Sequence, residues 1–405
     1  MMDAHLTLKS PLESPGPIER AVKPSTGRVR LMAFAADSEC ESSLHTYLSQ
    51  LSFADATIKI GSIGRAIQYL GAKRSPETLI VDISGAEMPA SLVRDLAELS
   101  EPGVTVIAIG DRNDIGLYRD LVQAGVSEYI VKPLTLQLLA KALSSKPRAA
   151  EGSPISRKLG KVIAVVGARG GVGTTTLAVN LAWYLANRQK RRILVLDLDL
   201  QNGDCALALN LRPTPGLREA LANPFRIDSV FLERAMAVHC ERLFVLSAEE
   251  PLRADAQFSA EAVETLVGVL RTQFHYIIAD VPRVPSAPYW RALGMADTRV
   301  IVADQTLRSV RDTVRLRAAL REANGAHGDL LVVNRSGEGG RCAMTLDEMA
   351  KVGLRPKVVI PFRPKLFTTA GLALRGKFTE SVAALATEIT GRMPERTPWW
   401  KLARR

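Results

Sequence analysis

From Arg28 onward, short β-branched and apolar runs alternate with stretches whose apolar positions recur every three or four residues. VRLMAFAA leads into helical spacing over 38–51, and ATIKIG into a helix around 63–70. TLIVDIS, VTVIAIG and EYIVKP follow, each trailed by a helical pattern, at 90–99, 115–124 and 136–143. Runs this continuously apolar belong to strands buried on both faces, so the series predicts a parallel sheet covered by helices on each side. Residues 1–27 are rich in Pro and Ser with no period and predict a disordered arm. SKPRAAEGSPISRKL (145–159) predicts a linker between the first unit, 28–144, and a second α/β series over 160–392. The expected fold class is therefore α/β, two doubly wound parallel-sheet domains in tandem.

The second series opens on VIAVVGARGGVGTTTL (162–177), where a buried strand breaks into a glycine-rich turn and then a helix N-terminus. That order builds an anion cradle: backbone N–H groups and the helix dipole converge, and glycines let the main chain approach a phosphate. A phosphate loop ordinarily carries Gly-Lys-Ser/Thr, but here Gly173 is followed by Thr174, so the lysine is missing. Plain turn packing is the competing reading of the glycines alone. RILVLDLDL then ends on Asp197 and Asp199, FHYIIADVPR places Asp280 at a strand end, and DLLVVNRS does the same for Asn334. Any single strand ending in Asp is commonplace; several in this order behind a glycine cradle point to Mg²⁺ and nucleotide.

The loop resembles the deviant phosphate loop of the ParA/MinD ATPase family, K-G-G-x-G-K-T-S/T. Aligned by glycines, the family's dimer-spanning lysine falls on Arg169, the phosphate-loop lysine on Thr174, and the metal-ligating threonine on Thr175. The resemblance implies that Gly170, Gly171, Val172, Gly173, Thr174, Thr175 and Thr176 hold phosphates of ATP. It also implies that Thr175, Asp197 and Asp280 serve Mg²⁺, that Asp199 orients water, and that Asn334 and Pro361 line the adenine pocket. A turn-initiating role is the alternative for Asn334. Asp199 and Arg169 are the implied catalytic residues, Arg169 crossing to the partner's nucleotide in a homodimer.

The first series resembles a receiver domain (a flavodoxin-like fold). Asp82 stands where a receiver keeps its phospho-acceptor and Lys132-Pro133 where it keeps its lysine and cis-proline. The acidic pair after strand one is reduced to Asp37 beside Ala36, and the Ser/Thr after strand four is Gly110. With a carboxylate missing, Mg²⁺ is under-liganded, so Asp37, Asp82 and Lys132 are expected to form a vestigial site used for docking, with a working phospho-switch as the alternative. A receiver-like domain ahead of a ParA/MinD-like domain, together with IIADVPR, VVNR and IPFRPKLFTTA, resembles the CpaE/TadZ group of Flp/Tad pilus assembly proteins.

The 405 residues carry a net charge of +11, which favours anionic partners. Cys40, Cys205, Cys240 and Cys342 are scattered, which indicates neither a disulfide framework nor a zinc site. No spanning-length apolar run or signal-peptide core is present, so the expectation is a cytoplasmic protein, and the pilus-group resemblance implies a peripheral, polar place at the inner membrane. Arg308, Arg311, Arg315, Arg317 and Arg321 share a helix whose face is either solvated or a nonspecific nucleic-acid patch, the latter less favoured. RTPWWKLARR (396–405) sets Trp399 and Trp400 among basic residues, the makeup of an anchor to an anionic membrane surface or of a tail packed on the domain. The implied function is an ATP-binding, dimeric scaffold for pilus assembly or secretion, with slow or absent hydrolysis. Its expected partners are a secretion ATPase or an inner-membrane platform. The alternatives are a cycling ATPase and a phospho-regulated output protein.

Overall fold

The computed structural model describes residues 29–144, 159–253, 257–324, 328–338, 343–363, 371–373 and 375–392. The expected arm, most of the linker, Trp399 and Trp400 and the 364–370 segment lie outside them.

The first sheet contains β1 (Leu31–Ala35), β2 (Thr57–Ile60), β3 (Thr78–Asp82), β4 (Thr105–Gly110) and β5 (Glu128–Val131). Its order is β2-β1-β3-β4-β5 with every pair parallel, the flavodoxin-like doubly wound order. Helices α1 (Ser38–Gln50), α2 (Ile63–Ala72), α3 (Pro89–Leu99), α4 (Ile115–Gln123) and α5 (Leu136–Ser144) cover it. Alternate strand residues feed opposite faces: Met32 and Phe34 pack with α2 and α3, while Leu31, Ala33 and Ala35 pack with α1 and α5. That two-sided burial is why the runs read as continuously apolar.

The second sheet has eight strands: β6 (Lys161–Gly167), β7 (Ile193–Asp197), β8 (Ala237–Cys240), β9 (Leu243–Leu246), β10 (Tyr276–Val281), β11 (Thr298–Ala303), β12 (Asp329–Ser336) and β13 (Val358–Pro361). They run β13-β12-β11-β6-β10-β7-β9-β8. All pairs are parallel except β8 with β9, which the alternation does not announce. Only Glu241 and Arg242 join those two strands, too short a link for a crossover, so they must form a hairpin. On one face lie α6 (Thr174–Asn187), α7 (Cys205–Ala208) and α14 (Lys377–Thr390). The other face carries α8 (Gly216–Ala222), α9 (Ser229–Ala235), α10 (Ala260–Leu270), α11 (Ala287–Gly294), α12 (Leu307–Asn324) and α13 (Leu346–Lys351). In β6, Val162, Ala164 and Val166 enter one core and Ile163 and Val165 the other.

The two sheets meet amino end to amino end. Immediately before β10, His275 accepts from the Arg192 amide on Nδ1 (3.0 Å) and its Nε2 lies 3.0 Å from the Ser100 carbonyl, just past α3. Arg242, just before β9, donates to the Leu70 carbonyl at 2.8 Å. Arg74 bridges Glu101 and Glu233, and the Arg192 guanidinium covers Phe244 and Phe274 at 4.3 and 5.0 Å.

Candidate functional site

At the opposite, carboxyl end of the second sheet, β6 passes through the glycine turn into α6. Gly171 and Gly173 take φ of +79° and +88°, the left-handed region that glycine enters without strain. Gly173 is also the residue before the first turn of α6, so its conformation aims the helix N-terminus at the turn. A side chain at Gly173 would collide with Asn334 Nδ2 at 2.4 Å, because that amide crosses the turn to donate to the Val172 carbonyl (2.8 Å). Space beyond Gly170 and Gly171 is open.

The carboxylates reach this cradle by strand register. β10 pairs with β7 so that Asp280 stands directly beside Asp197. Thr175, on the first turn of α6, donates from its hydroxyl to Asp280 Oδ2 at 2.6 Å. Asp197 is fully buried; its Oδ1 accepts from the Asp199 amide (3.2 Å) and its Oδ2 from the Cys205 amide (3.1 Å). The Cys205 thiol lies 3.6 Å from Asp280 Oδ2, and the ligand atoms of Asp197, Cys205 and Asp280 fall within 4.8 Å of one another.

Electrostatics at the pair are unfavourable without a cation. Burial, then the charge of Asp280, pushes Asp197 up to about 7. Burial also raises Asp280, against hydrogen bonds from Thr175 and Cys205, to about 6. Among the described residues no lysine or arginine forms an ion pair with either carboxylate. A hydroxyl and two crowded carboxylates fit a hard divalent cation of the Mg²⁺ kind. Asp199 caps its own loop, accepting from the Asn202 amide at 2.9 Å, and is only partly exposed. Arg169 is partly buried at the start of the turn.

A cavity of about 260 Å³ adjoins the cradle, lined by Gly173, Thr176, Asn334, Arg335, Pro361 and Phe362 among others. It brings together the predicted base-side residues Asn334 and Pro361 with Thr176, at the edge where β12 and β13 end. Arg335 holds a φ of +57° and lays its guanidinium 5.5 Å from the centre of the Phe362 ring.

Two arginines were not singled out as cradle residues by the sequence: Arg283 donates to the Ala168 carbonyl and Arg335 to the Gly171 carbonyl (2.9 Å). The missing lysine was the available signal, since a cradle without its own cation invites one from neighbouring strand ends. Cys205 had no signal beyond its place eight residues after Asp197.

In the first sheet the three expected residues also converge. Lys132 Nζ lies 2.8 Å from both Asp37 Oδ2 and Asp82 Oδ2. Asp82 is fully buried and accepts from the Ala36 and Ser84 amides, and Asp37 caps α1 through the Cys40 amide. Burial works to raise Asp82, but bonds from Lys132, Ser84 and Ala36 outweigh it and hold the carboxyl below its usual range. The Lys132–Pro133 peptide is cis. Gly110 has its own reason: a Cβ there would meet the Tyr129 hydroxyl at 2.5 Å.

A glycine cradle behind a central parallel strand, with aspartates ending two adjacent strands, defines a P-loop nucleotide-site architecture. The family model described as an AAA domain matches residues 160–324. The septum site-determining protein MinD of Synechocystis sp. is 32% identical over 178 residues, which is 44% of this chain and 65% of that protein. The chain thus spans just under two thirds of that relative's length. The crystal structure of the Pyrococcus furiosus cell division ATPase MinD superposes with a TM-score of 0.50 at 23% identity, over 57% of this chain and 99% of that one. The pilus assembly protein CpaE of Caulobacter crescentus is 29% identical, with a TM-score of 0.27, over 29% of this chain and 97% of that one. The second domain thus has a P-loop fold like that of the Pyrococcus furiosus MinD structure and is similar in sequence to MinD.

Proposed function

We propose that this chain is a nucleotide-binding, dimeric positioning protein that turns ATP over slowly or not at all and serves pilus assembly of the Flp/Tad type. The observation that carries the reading is the cradle itself: Thr174 replaces the phosphate-loop lysine while the Thr175–Asp280–Asp197 constellation is assembled. Losing one preorganised charged contact to a developing phosphate charge costs roughly 10²–10³ in rate, whereas the backbone amides and helix dipole that bind the ground state remain. Thr175, Asp197 and Asp280 would hold Mg²⁺, which when bound neutralises phosphate charge. Gly170, Gly171, Val172, Gly173 and Thr176 would surround the phosphates, with Asn334 and Pro361 at the base. Arg169 would reach across to a second copy, and Asp199 would orient water for whatever hydrolysis occurs.

The pilus assignment rests on the resemblance of the two-domain order and of IIADVPR and VVNR to the CpaE/TadZ group. A place in the cytoplasm at the inner membrane, and contacts with a secretion ATPase or membrane platform, belong to the same proposal. The receiver-like cluster would then serve docking, its lysine already standing between the carboxylates. A second reading, a cycling ATPase on nonspecific DNA, draws on α12, where Arg308, Arg311, Arg315 and Arg321 are exposed beside Leu307 and Val314.

The test is ATP binding, phosphate release and mass by light scattering on the purified chain with Mg²⁺. Binding and dimerisation with negligible phosphate release are expected, and Arg169→Ala should weaken the dimer more than the binding. Rapid turnover would sink the scaffold reading in favour of the cycling one, and salt-sensitive, ATP-dependent retention on duplex DNA would add nucleic acid to it. No nucleotide binding would overturn both.

A further inference from the structure

We infer that Arg283 is the group by which this cradle distinguishes a nucleoside triphosphate from a diphosphate, and that Asp312 is the counter-charge it leaves to do so. The inference rests on the nucleotide reading above and deepens it.

The cradle has lost a cation from within and is touched by two from outside. Thr174 offers a hydroxyl where an ammonium is expected. Both arginines that contact the turn do so through its backbone carbonyls, Arg335 at Gly171 and Arg283 at Ala168. Their surroundings differ. Arg335 is tied to Glu338 and lies across Phe362 beside Asn334, so it belongs to the cavity on the base side. Arg283 follows Asp280 by three residues on the segment leaving β10, and its guanidinium reaches back to the Ala168 carbonyl where the glycine turn begins. With a cation held by Thr175 and Asp280, the terminal phosphate of a triphosphate in the cradle would lie toward this segment, within reach of a long side chain on it.

Apart from its bond to the Ala168 carbonyl, Arg283 is loosely held. Its side chain is 41% exposed, and its ion pair with Asp312 Oδ2 is long, 3.4 Å. Asp312 is already satisfied by Arg311, whose Nε and Nη2 donate to Oδ1 at 3.0 and 2.9 Å. Exchanging that weak pair for a phosphate leaves no carboxylate unpartnered. A guanidinium also suits the new partner, because its fork can engage two phosphate oxygens together. A diphosphate offers nothing at that position, so the gain falls on the triphosphate alone.

The experiment measures equilibrium affinity for mant-ATP and mant-ADP with Mg²⁺ on the full chain and on Arg283→Ala, Arg283→Lys, Arg335→Ala and Asp312→Asn. Removing Arg283 should weaken mant-ATP by about 10- to 100-fold, the worth of one charge-assisted bond, and leave mant-ADP within about threefold. Arg283→Lys should recover part of the ATP preference. Arg335→Ala should weaken both nucleotides together, and Asp312→Asn, by releasing Arg283, should tighten mant-ATP selectively. Thermal unfolding of each variant reports on folding, and the Arg283 variants are expected to match the unmodified chain because that side chain is exposed. An unchanged ATP-to-ADP ratio in Arg283→Ala, with binding intact, overturns the assignment to Arg283 and leaves the nucleotide site standing. Failure of the unmodified chain to bind either nucleotide removes the site and this proposal with it.

Discussion

Both sheets gather carboxylates at the carboxyl ends of their strands, and the two clusters are in opposite electrostatic states. In the first, Lys132 sits 2.8 Å from each of Asp37 and Asp82 and the buried Asp82 is held ionised. In the second, Asp197 and Asp280 stand side by side with a hydroxyl and a thiol, and both are pushed up, to about 7 and about 6. The first cluster has its cation on its own chain; among the described residues the second has none. Geometry alone, two aspartates at strand ends, does not separate the two cases. The side chain that stands opposite them does.

The sharpest way to break the contrast is Lys132→Met. It leaves a fully buried carboxylate without its cation, and removing one member of such a pair costs about 3–5 kcal/mol. Chemical denaturation at neutral pH should show the first domain losing stability on that scale. Nearly unchanged stability would mean that Asp82 is solvated and the cluster is not closed. The mirror experiment, Asp197→Asn, should act in the other direction. Relieving a crowded, buried charge is expected to stabilise the nucleotide-free second domain by roughly 1–3 kcal/mol while removing the Mg²⁺-dependent part of nucleotide affinity. A destabilised Asp197→Asn would show that its bonds from the Asp199 and Cys205 amides outweigh the repulsion.

A smaller effect is expected with pH. Asp197 and Asp280 have folded values above their ordinary 3.8, so between about 4 and 7 the folded chain binds more protons than the unfolded one and stability falls as pH rises. Asp82, lowered, contributes stability above 3.8 that is lost only as acid drives the pH below that value. Metal- and nucleotide-free protein should therefore show a higher unfolding temperature for the second domain at pH 5.5 than at 7.5, by a few degrees at roughly 1 kcal/mol. The first domain should show no such decline, and Mg²⁺ with nucleotide should narrow the difference by favouring the ionised pair. Equal slopes for both domains would erase the comparison.

Much of this arrangement is legible in the chain. Continuous apolar runs announce strands buried on both faces; Asp82 and Asp197 end their strands where the run stops, and Asp280 and Asn334 fall one and two residues before theirs end. Three kinds of fact are not legible. The hairpin β8–β9 and the short helices α7, α8 and α9 between Asp199 and Glu250 have no long periodic pattern and take shape by packing on the sheet. The contacts that complete the cradle, Arg283 to Ala168 and Asn334 to Val172, join residues 115 and 162 positions apart. Only strand order makes those contacts neighbours. Gly110 reads as a lost hydroxyl until Tyr129 is seen filling the space a side chain would need. Asn334 likewise reads as a base-binding amide, yet it also ties down the glycine turn.

The junction between the domains uses Ser100, Glu101, Arg192, Arg242 and His275, all near the amino ends of strands. Each cluster of carboxylates is therefore a full strand length from that junction, about 15–25 Å at ~3.3 Å per residue, and they stand back to back. Two faces that far apart are sterically independent. Under the proposed function, a partner on the first cluster and a second copy over the cradle would not compete for room, and changes at either face would leave the arginine-lined seam untouched.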